Sequence, residues 1–227
     1  MLWAILVIVI LAVVFGPAIW VRWVMAKYST EIPGMPGTGG ELAEHLLEKF
    51  GIEAGVEITG VGDHYDPEDR MVRLSEQNFQ GKSLTAVAIA AHEVGHAIQH
   101  HTNDARLEYR TRLVPIANVI ARVSAGVIYA APIVGILTRH PIPFSALVMI
   151  GLSGLIVRML VHLVTLPTEI DASFGKALPV LREGNYVAAG EEVVVQKILK
   201  AAAMTYVAAA LADILNLARW AALLLRR

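Results

Sequence analysis

Residues 92–96 (HEVGH) contain two histidines four residues apart, with a glutamate directly after the first. On an α-helix, residues four apart lie one turn above each other, so both imidazoles can bind one metal ion. Zinc lowers the pKa of a water molecule that it binds to about 7, and a neighbouring carboxylate can take the proton. The spacing therefore predicts a zinc-dependent hydrolase in which His92 and His96 bind the metal and Glu93 is the general base.

The residues before this motif favour the helix that it requires. Residues 84–91 (LTAVAIAA) are small or apolar, and Ser83 is a typical residue before the first turn of a helix. We predict a helix from Ser83 to about His101, preceded by a strand with which a peptide substrate can pair. The alternative is an ordinary helix with two hydrogen-bonded histidines and a surface glutamate.

A catalytic zinc ion usually has three protein ligands, and this chain has no cysteine to offer. The metzincin pattern requires Gly and His where this chain has Gln99 and Thr102, so that class is excluded. His100 follows His96 by one turn, but its direction has drifted by about 40°, which makes it a poor third ligand. We interpret His100 and His101 as polar residues at the helix end.

The third ligand is predicted in residues 166–173 (LPTEIDAS). A helix beginning at Pro167 or Thr168 would place Glu169 in its first turn and complete a His₂Glu site. Two predicted membrane spans separate Glu169 from the motif, and an even number of crossings returns the chain to the same side. Glu169 could instead be an ordinary carboxylate at a helix start, and Asp171 is the alternative ligand or a hydrogen-bond acceptor for a ligating histidine.

A polar turn at residues 63–69 separates two predicted strands, residues 56–60 and 71–75. His64 and Tyr65 in this turn are candidate donors to the oxyanion that forms during peptide hydrolysis. The alternative is a solvated hairpin tip.

The composition predicts a membrane protein. Of the 227 residues, 56% are hydrophobic and 17% are charged, against typical values of about 45–50% and about 25%. The net charge of −1 gives no reason to expect nucleic-acid binding. Residues 2–21 carry no charge and would cover about 30 Å as a helix, the thickness of a bilayer core.

Further apolar stretches follow. Residues 113–138 and 141–166 predict a helical hairpin, and residues 201–225 are a weaker span because they contain Asp213. We predict a mainly α integral membrane protein with three to four transmembrane helices and a small α+β, zincin-like catalytic unit at the membrane face. The expected divisions are an anchor, a catalytic region, the hairpin, the third-ligand segment and a last apolar helix (1–27, 28–112, 113–166, 167–200 and 201–227).

Positive residues set the expected orientation. Arg22 and Lys27 follow the first span, so the positive-inside rule places residues 28–112 in the cytoplasm. Arg122 and Arg158 are expected at nearly the same level of the hairpin, and Asp213 is the expected partner of whichever arginine is buried.

The chain resembles the YugP-like neutral zinc metallopeptidases of bacterial membranes. The resemblance runs from about residue 30 to the end and is carried by six segments: DHYDP (63–67), RLSE (73–76), AAHEVGHAIQH (90–100), LVP (113–115), LVTLPTEIDAS (163–173) and AAAMTYVAAAL (201–211). It implies a multi-pass zinc peptidase of the gluzincin type in the bacterial cell membrane, with Glu93 as base, and it favours Glu169 as third ligand. The more distant HtpX-like membrane proteases carry an acid four residues after that glutamate, where this chain has Ser173.

The predicted function is that of a membrane-embedded zinc endopeptidase acting on peptide or protein substrates. Two alternatives remain open: an inactive or regulatory homologue that binds metal as a scaffold, and a metal transporter. A structural site needs no base, so Glu93 argues against the scaffold. A transporter would place its ionisable groups within the spans, whereas His92 lies in a polar region between them.

Overall fold

The computed structural model describes residues 2–188 and 190–225, and it is mainly helical. Residues 1, 189, 226 and 227, which belong to the predicted segments 1–27, 167–200 and 201–227, lie outside the described part of the chain. The elements in chain order are α1 (Leu2–Lys27), α2 (Gly39–Lys49), β1 (Gly55–Thr59), β2 (His64–Asp66), β3 (Met71–Ser75), α3 (Glu76–Gln80), α4 (Leu84–His101), α5 (Ala105–Thr138), α6 (Pro141–Ile170), a π-helix (Asp171–Ala177), α7 (Leu178–Glu183) and α8 (Glu192–Leu225).

The chain divides into two compact units. The helical unit contains the residues up to Ala18, Tyr109–Thr165 and the residues from Tyr206 onward. The motif unit contains Ile19–Glu108 and Leu166–Thr205, and therefore holds both the HEVGH segment and Glu169.

Among the residues that the structure describes, four helices are long and apolar enough to cross a membrane: Ile8–Lys27, Ala105–Thr138, Ile142–Glu183 and Glu192–Ala218. The last of these, Glu192–Ala218, contains Asp213, the residue that made the sequence a weaker candidate for a span. The upper limit of the predicted number of spans, four, agrees with this set by length and composition.

Within the helical unit, α5 and α6 form the predicted hairpin and approach closely. A side chain at Gly154 would collide with Ser124, and one at Gly151 would collide with Ile128. Small residues at such positions allow two helix backbones to pack against each other. Extended toward the start of α5, this antiparallel pairing places Arg122 within about two residues, or roughly 3 Å, of the level of Arg158, which agrees with the predicted near match in level.

A buried carboxylate joins α8 to α6 in the helical unit. Asp213 is 1% exposed, and both of its oxygens accept hydrogen bonds from Arg158, with Nε at 2.9 and 3.1 Å. His162, one turn after Arg158, places Nε2 3.7 Å from the same carboxylate. Asp213 is therefore the partner of Arg158, as expected from the sequence.

The motif unit contains a three-stranded sheet in the order β1-β3-β2. Strands β1 and β3 are parallel, whereas β2 pairs antiparallel with β3 so that Tyr65 faces Val72. The sequence predicted a polar turn where β2 lies, and that prediction was wrong for residues 64–66. Burial of Tyr65 and Val72 in the core stabilises the strand despite its polar flanks.

Helix α4 runs through the core of the motif unit. The Ser83 hydroxyl accepts a hydrogen bond from the Ala86 N–H and caps the first turn, so the predicted start and end of this helix agree with the structure. Near that start, the Thr85 hydroxyl donates to the Met25 carbonyl at 3.0 Å. The helix that carries the motif is thus tied to the end of α1.

The segment around Glu169 differs from its prediction. Helix α6 continues through Pro167 to Ile170, so Glu169 lies in the last turn of a long helix and not in the first turn of a new one. A proline removes a single N–H donor from the helix. Thr168 and Glu169, which follow the proline, are buried, and the packing of this turn in the motif unit offsets that loss.

Candidate metal centre

His92, His96 and Glu169 form a buried cluster whose potential ligand atoms all lie within 4.8 Å of one another. Nε2 of His92 lies 3.3 Å from Oε2 of Glu169, and Nε2 of His96 lies 3.4 Å from the same oxygen. Residues from two distant parts of the sequence therefore converge on one point.

These distances fit a zinc site. A tetrahedron whose centre lies about 2.0–2.1 Å from each corner, as in zinc–imidazole and zinc–carboxylate coordination, has edges of about 3.3–3.4 Å. Both Nε2–Oε2 distances match that edge. Two imidazoles and one carboxylate also leave the fourth position open, as catalytic zinc sites require.

Gln99 determines which nitrogen of His96 carries a proton. The Gln99 Nε2 donates to the Thr168 carbonyl at 3.0 Å and to the Asp171 carboxylate at 2.8 Å. The amide oxygen must then face His96, whose Nδ1 lies 2.9 Å away. Because that oxygen can only accept, Nδ1 is the donor, and the lone pair of the neutral His96 ring is on Nε2, the atom that faces Glu169.

Ser173 does the same for His92. Its hydroxyl has one proton and donates it to the Leu199 carbonyl at 3.1 Å. The hydroxyl oxygen therefore accepts from Nδ1 of His92, also at 3.1 Å. Both histidines consequently hold the tautomer that a metal ligand needs.

Asp171 lies beside the cluster and supports it indirectly. One oxygen accepts from Gln99, and the other lies 3.3 Å from the guanidinium of Arg106. Arg106 also bonds Asp104, and this hydrogen bond holds the pKa of the Asp104 carboxyl below its usual range. A polar chain thus runs from His96 through Gln99 and Asp171 to Arg106.

The π-helix brings Ser173 to His92. It begins two residues after Glu169, and the Leu178 N–H bonds the Ser173 carbonyl five residues back. Wide turns of this kind are frequent at functional sites. Glu169 and Ser173 are four residues apart, so they lie on one side of this segment, where both can reach the motif histidines.

Gly95 allows the two halves of the centre to meet. A Cβ at this position would lie 2.7 Å from the Ala172 carbonyl oxygen and 3.3 Å from its carbonyl carbon. Backbone atoms cannot yield as a flexible side chain can. The residue before the second histidine must therefore be glycine for α4 to pack against the π-helix.

The remaining predicted site residues occupy defined places. Glu93 is buried on α4, directly after His92. The Tyr65 hydroxyl forms a 2.9 Å hydrogen bond with Nδ1 of His100, and burial raises the pKa of that phenol. His64 donates from Nδ1 to the Gly62 carbonyl within its own turn. The roles of Glu93, His64 and Tyr65 stay predictions.

Sequence reasoning did not identify Gln99 and Ser173 as functional residues. Each had a signal: Gln99 lies three residues after His96 on the same helix face, and Ser173 holds the position where the HtpX-like proteins carry an acid. Neither residue type is itself a typical ligand, so only their contacts show what they do.

Two comparisons with known proteins point to one family. Residues 3–225 match the family model described as "Putative neutral zinc metallopeptidase". The chain is 35% identical over 225 residues to the "Putative membrane protease YugP" of Bacillus subtilis (strain 168), covering 97% of this chain and 95% of that protein. No solved structure matches.

Proposed function

The chain belongs to the family of putative neutral zinc metallopeptidases, and from this premise we propose that it is a membrane-embedded zinc endopeptidase of the gluzincin type. The observation that carries the proposal is the convergence of the His92 and His96 Nε2 atoms on Glu169. Hydrogen bonds from Nδ1 leave both Nε2 lone pairs available for the metal.

Zinc bound at such a site polarises a peptide carbonyl and acidifies a water molecule. In the proposed reaction Glu93 accepts a proton from the attacking water and delivers it to the leaving amine, while the C–N bond breaks and a C–O bond forms. Tyr65 or His64 donates a hydrogen bond to the oxyanion. Gln99 and Ser173 hold the two imidazoles in place.

The proposed location is the bacterial cell membrane, with the motif unit at the cytoplasmic face. The four helices long enough to span support insertion, and Arg22 and Lys27 at the end of the first support the orientation. A reporter that is active only in the cytoplasm, inserted in the linker at residues 31–40, should be active. A silent reporter there would reverse the orientation.

The decisive experiment compares the parent with Glu93→Gln in zinc content and in hydrolysis of a denatured protein. Zinc retained by both with hydrolysis by the parent alone is the expected result, because the base is not a ligand. Full hydrolysis by Glu93→Gln would refute the mechanism. Zinc retained with no hydrolysis by the parent would favour the scaffold alternative, and zinc flux into vesicles would favour a transporter.

A further inference from the structure

Two lysines from distant parts of the chain lie against one exposed indole in the motif unit. Nζ of Lys27, at the end of α1, is 4.7 Å from the centre of the Trp23 ring, and Nζ of Lys197, near the start of α8, is 4.9 Å from it. The Trp23 side chain is 48% exposed. The fold therefore brings together two like charges that are 170 positions apart in the sequence.

The two charges are not neutralised by the part of the chain that the structure describes. Within residues 2–188 and 190–225, no carboxylate lies within 4.0 Å of either ammonium group. Both groups contact one ring, so they lie within about a Debye length of each other at 0.1 M salt, or about 10 Å. A cation–π contact offers each lysine modest attraction but cancels neither charge.

Further positive charge borders the pair. Arg22 precedes Trp23 on α1, and Lys200 follows Lys197 by three residues on α8, which places it on the same side of that helix. Both side chains are exposed. An anion at Trp23 would thus meet positive charge from two helices.

The position of the cluster indicates which anion. Trp23 and Lys27 lie at the end of the apolar segment Ile8–Lys27, where tryptophan and lysine side chains of membrane proteins meet lipid headgroups. Basic clusters at this depth on the cytoplasmic side attract anionic phospholipids. The half-exposed Trp23 ring also offers apolar surface to the glycerol and acyl region below the phosphate.

We propose that Lys27, Trp23 and Lys197 form a binding site for the phosphate of an anionic phospholipid headgroup. The proposal rests on the proposed membrane insertion but does not depend on peptide hydrolysis. It would tie the motif unit, through both α1 and α8, to the anionic leaflet of the membrane.

The test measures binding of phosphatidylglycerol and phosphatidylcholine to the purified full-length protein in detergent by native mass spectrometry. The parent should retain phosphatidylglycerol preferentially. Each lysine near anionic lipid contributes binding free energy equivalent to about 5-fold in affinity. The double variant Lys27→Gln with Lys197→Gln should therefore lower phosphatidylglycerol affinity about 30-fold. Phosphatidylcholine binding should not change.

The matched control is Lys49→Gln with Lys82→Gln, which removes two exposed lysines of the same unit from outside the candidate spans. This variant should bind phosphatidylglycerol like the parent, and an equal loss in both double variants would overturn the proposal in favour of general charge attraction. Inorganic phosphate could also displace bound phosphatidylglycerol. If it does so as effectively as added phosphatidylglycerol, the site binds free anions and the proposal of a lipid site is refuted. Failure of the parent to reconstitute into phosphatidylcholine vesicles would instead refute membrane insertion.

Discussion

Two buried carboxylates in this molecule are each faced by two nitrogen-bearing side chains, with opposite consequences. In the helical unit, Asp213 is bound by the Arg158 guanidinium, with His162 nearby. In the motif unit, Glu169 faces the Nε2 atoms of His92 and His96. The first carboxylate receives a permanent positive charge from within the chain.

Glu169 is faced by imidazoles whose tautomers are set by their other neighbours. Because each Nδ1 is the hydrogen-bond donor, the neutral form of each ring has its lone pair on Nε2, the atom that faces Glu169. A metal ion can supply the positive charge that arginine supplies to Asp213. A buried carboxylate by itself therefore does not identify a metal site; the kind of side chain that faces it, and the nitrogen which that side chain can offer to a metal, distinguish the two.

Replacement of Glu169 should have the largest effect on metal binding. Glu169→Ala removes a ligand and should reduce zinc affinity by more than the roughly 10–100-fold typical of losing a hydrogen-bond partner of a ligand. Affinity is measured by competition with a chelator. Asp213→Asn is the control and should bind zinc like the parent, since an amide can still accept from Arg158. Equal zinc affinity in Glu169→Ala and the parent would show that Glu169 is not a metal ligand.

Removal of the carboxylate in the helical unit should cost stability and leave zinc affinity unchanged. Asp213→Ala leaves Arg158 without this partner; because that side chain is 37% exposed, we expect a cost below the about 3–5 kcal/mol that is typical of breaking a fully buried pair. Unfolding in detergent measures the loss. Adding Arg158→Met should recover most of it, and a double variant as unstable as the single one would contradict the ion-pair explanation.

Glycine substitutions separate the close approach in the motif unit from ordinary helix effects. Gly95→Ala forces the new Cβ against the Ala172 backbone, so it should destabilise the protein by about 1–3 kcal/mol and weaken zinc binding. Gly126→Ala is the control, because a Cβ there meets nothing within 4 Å. It should be neutral or stabilising by up to about 1 kcal/mol. Similar results for both variants would remove the role given to Gly95.

Gln99 should matter for the metal and not only for folding. Gln99→Met removes the amide that orients His96, so zinc affinity should fall about 10–100-fold, and the visible spectrum of the cobalt-substituted protein should change. Asn78→Leu is the control, because it removes another buried amide, bonded to Asp63 at 2.8 Å, away from the centre. Asn78→Leu should lose stability with an unchanged cobalt spectrum. Identical behaviour of the two variants would make Gln99 merely structural.

Asp171 should show the smallest effect on the metal. Asp171→Ala removes one of two acceptors of the Gln99 amide, while the Thr168 carbonyl remains. We expect zinc affinity to fall less than about 10-fold, below the loss in Gln99→Met. A larger loss than in Glu169→Ala, measured by the same chelator competition, would make Asp171 the ligand instead.

Much of the fold could be predicted because its signals are local. Ser83 and the run of small residues after it predicted α4 with its correct bounds, and the long apolar stretches predicted the helices that could span a membrane. Strand β2 could not be predicted from its polar residues, because Tyr65 is buried only after β3 is in place. The sequence also predicted a helix start at Pro167 or Thr168, where the structure has one continuous helix. A proline predicts a helix end from local geometry alone, whereas the packing of the residues around it depends on the tertiary structure.

By itself, the sequence determined which side chains can bind a metal or accept a proton: two histidines one helical turn apart, a glutamate beside the first, and no cysteine. It also indicated Glu169 through the order of the apolar segments. Only the tertiary structure decided that Gln99 and Ser173 hold the imidazoles and that Gly95 lets the segments touch. The physical reason is range. Helix periodicity acts over a few residues, whereas the contact between His92 and Ser173 joins residues 81 positions apart and exists only once the core has packed.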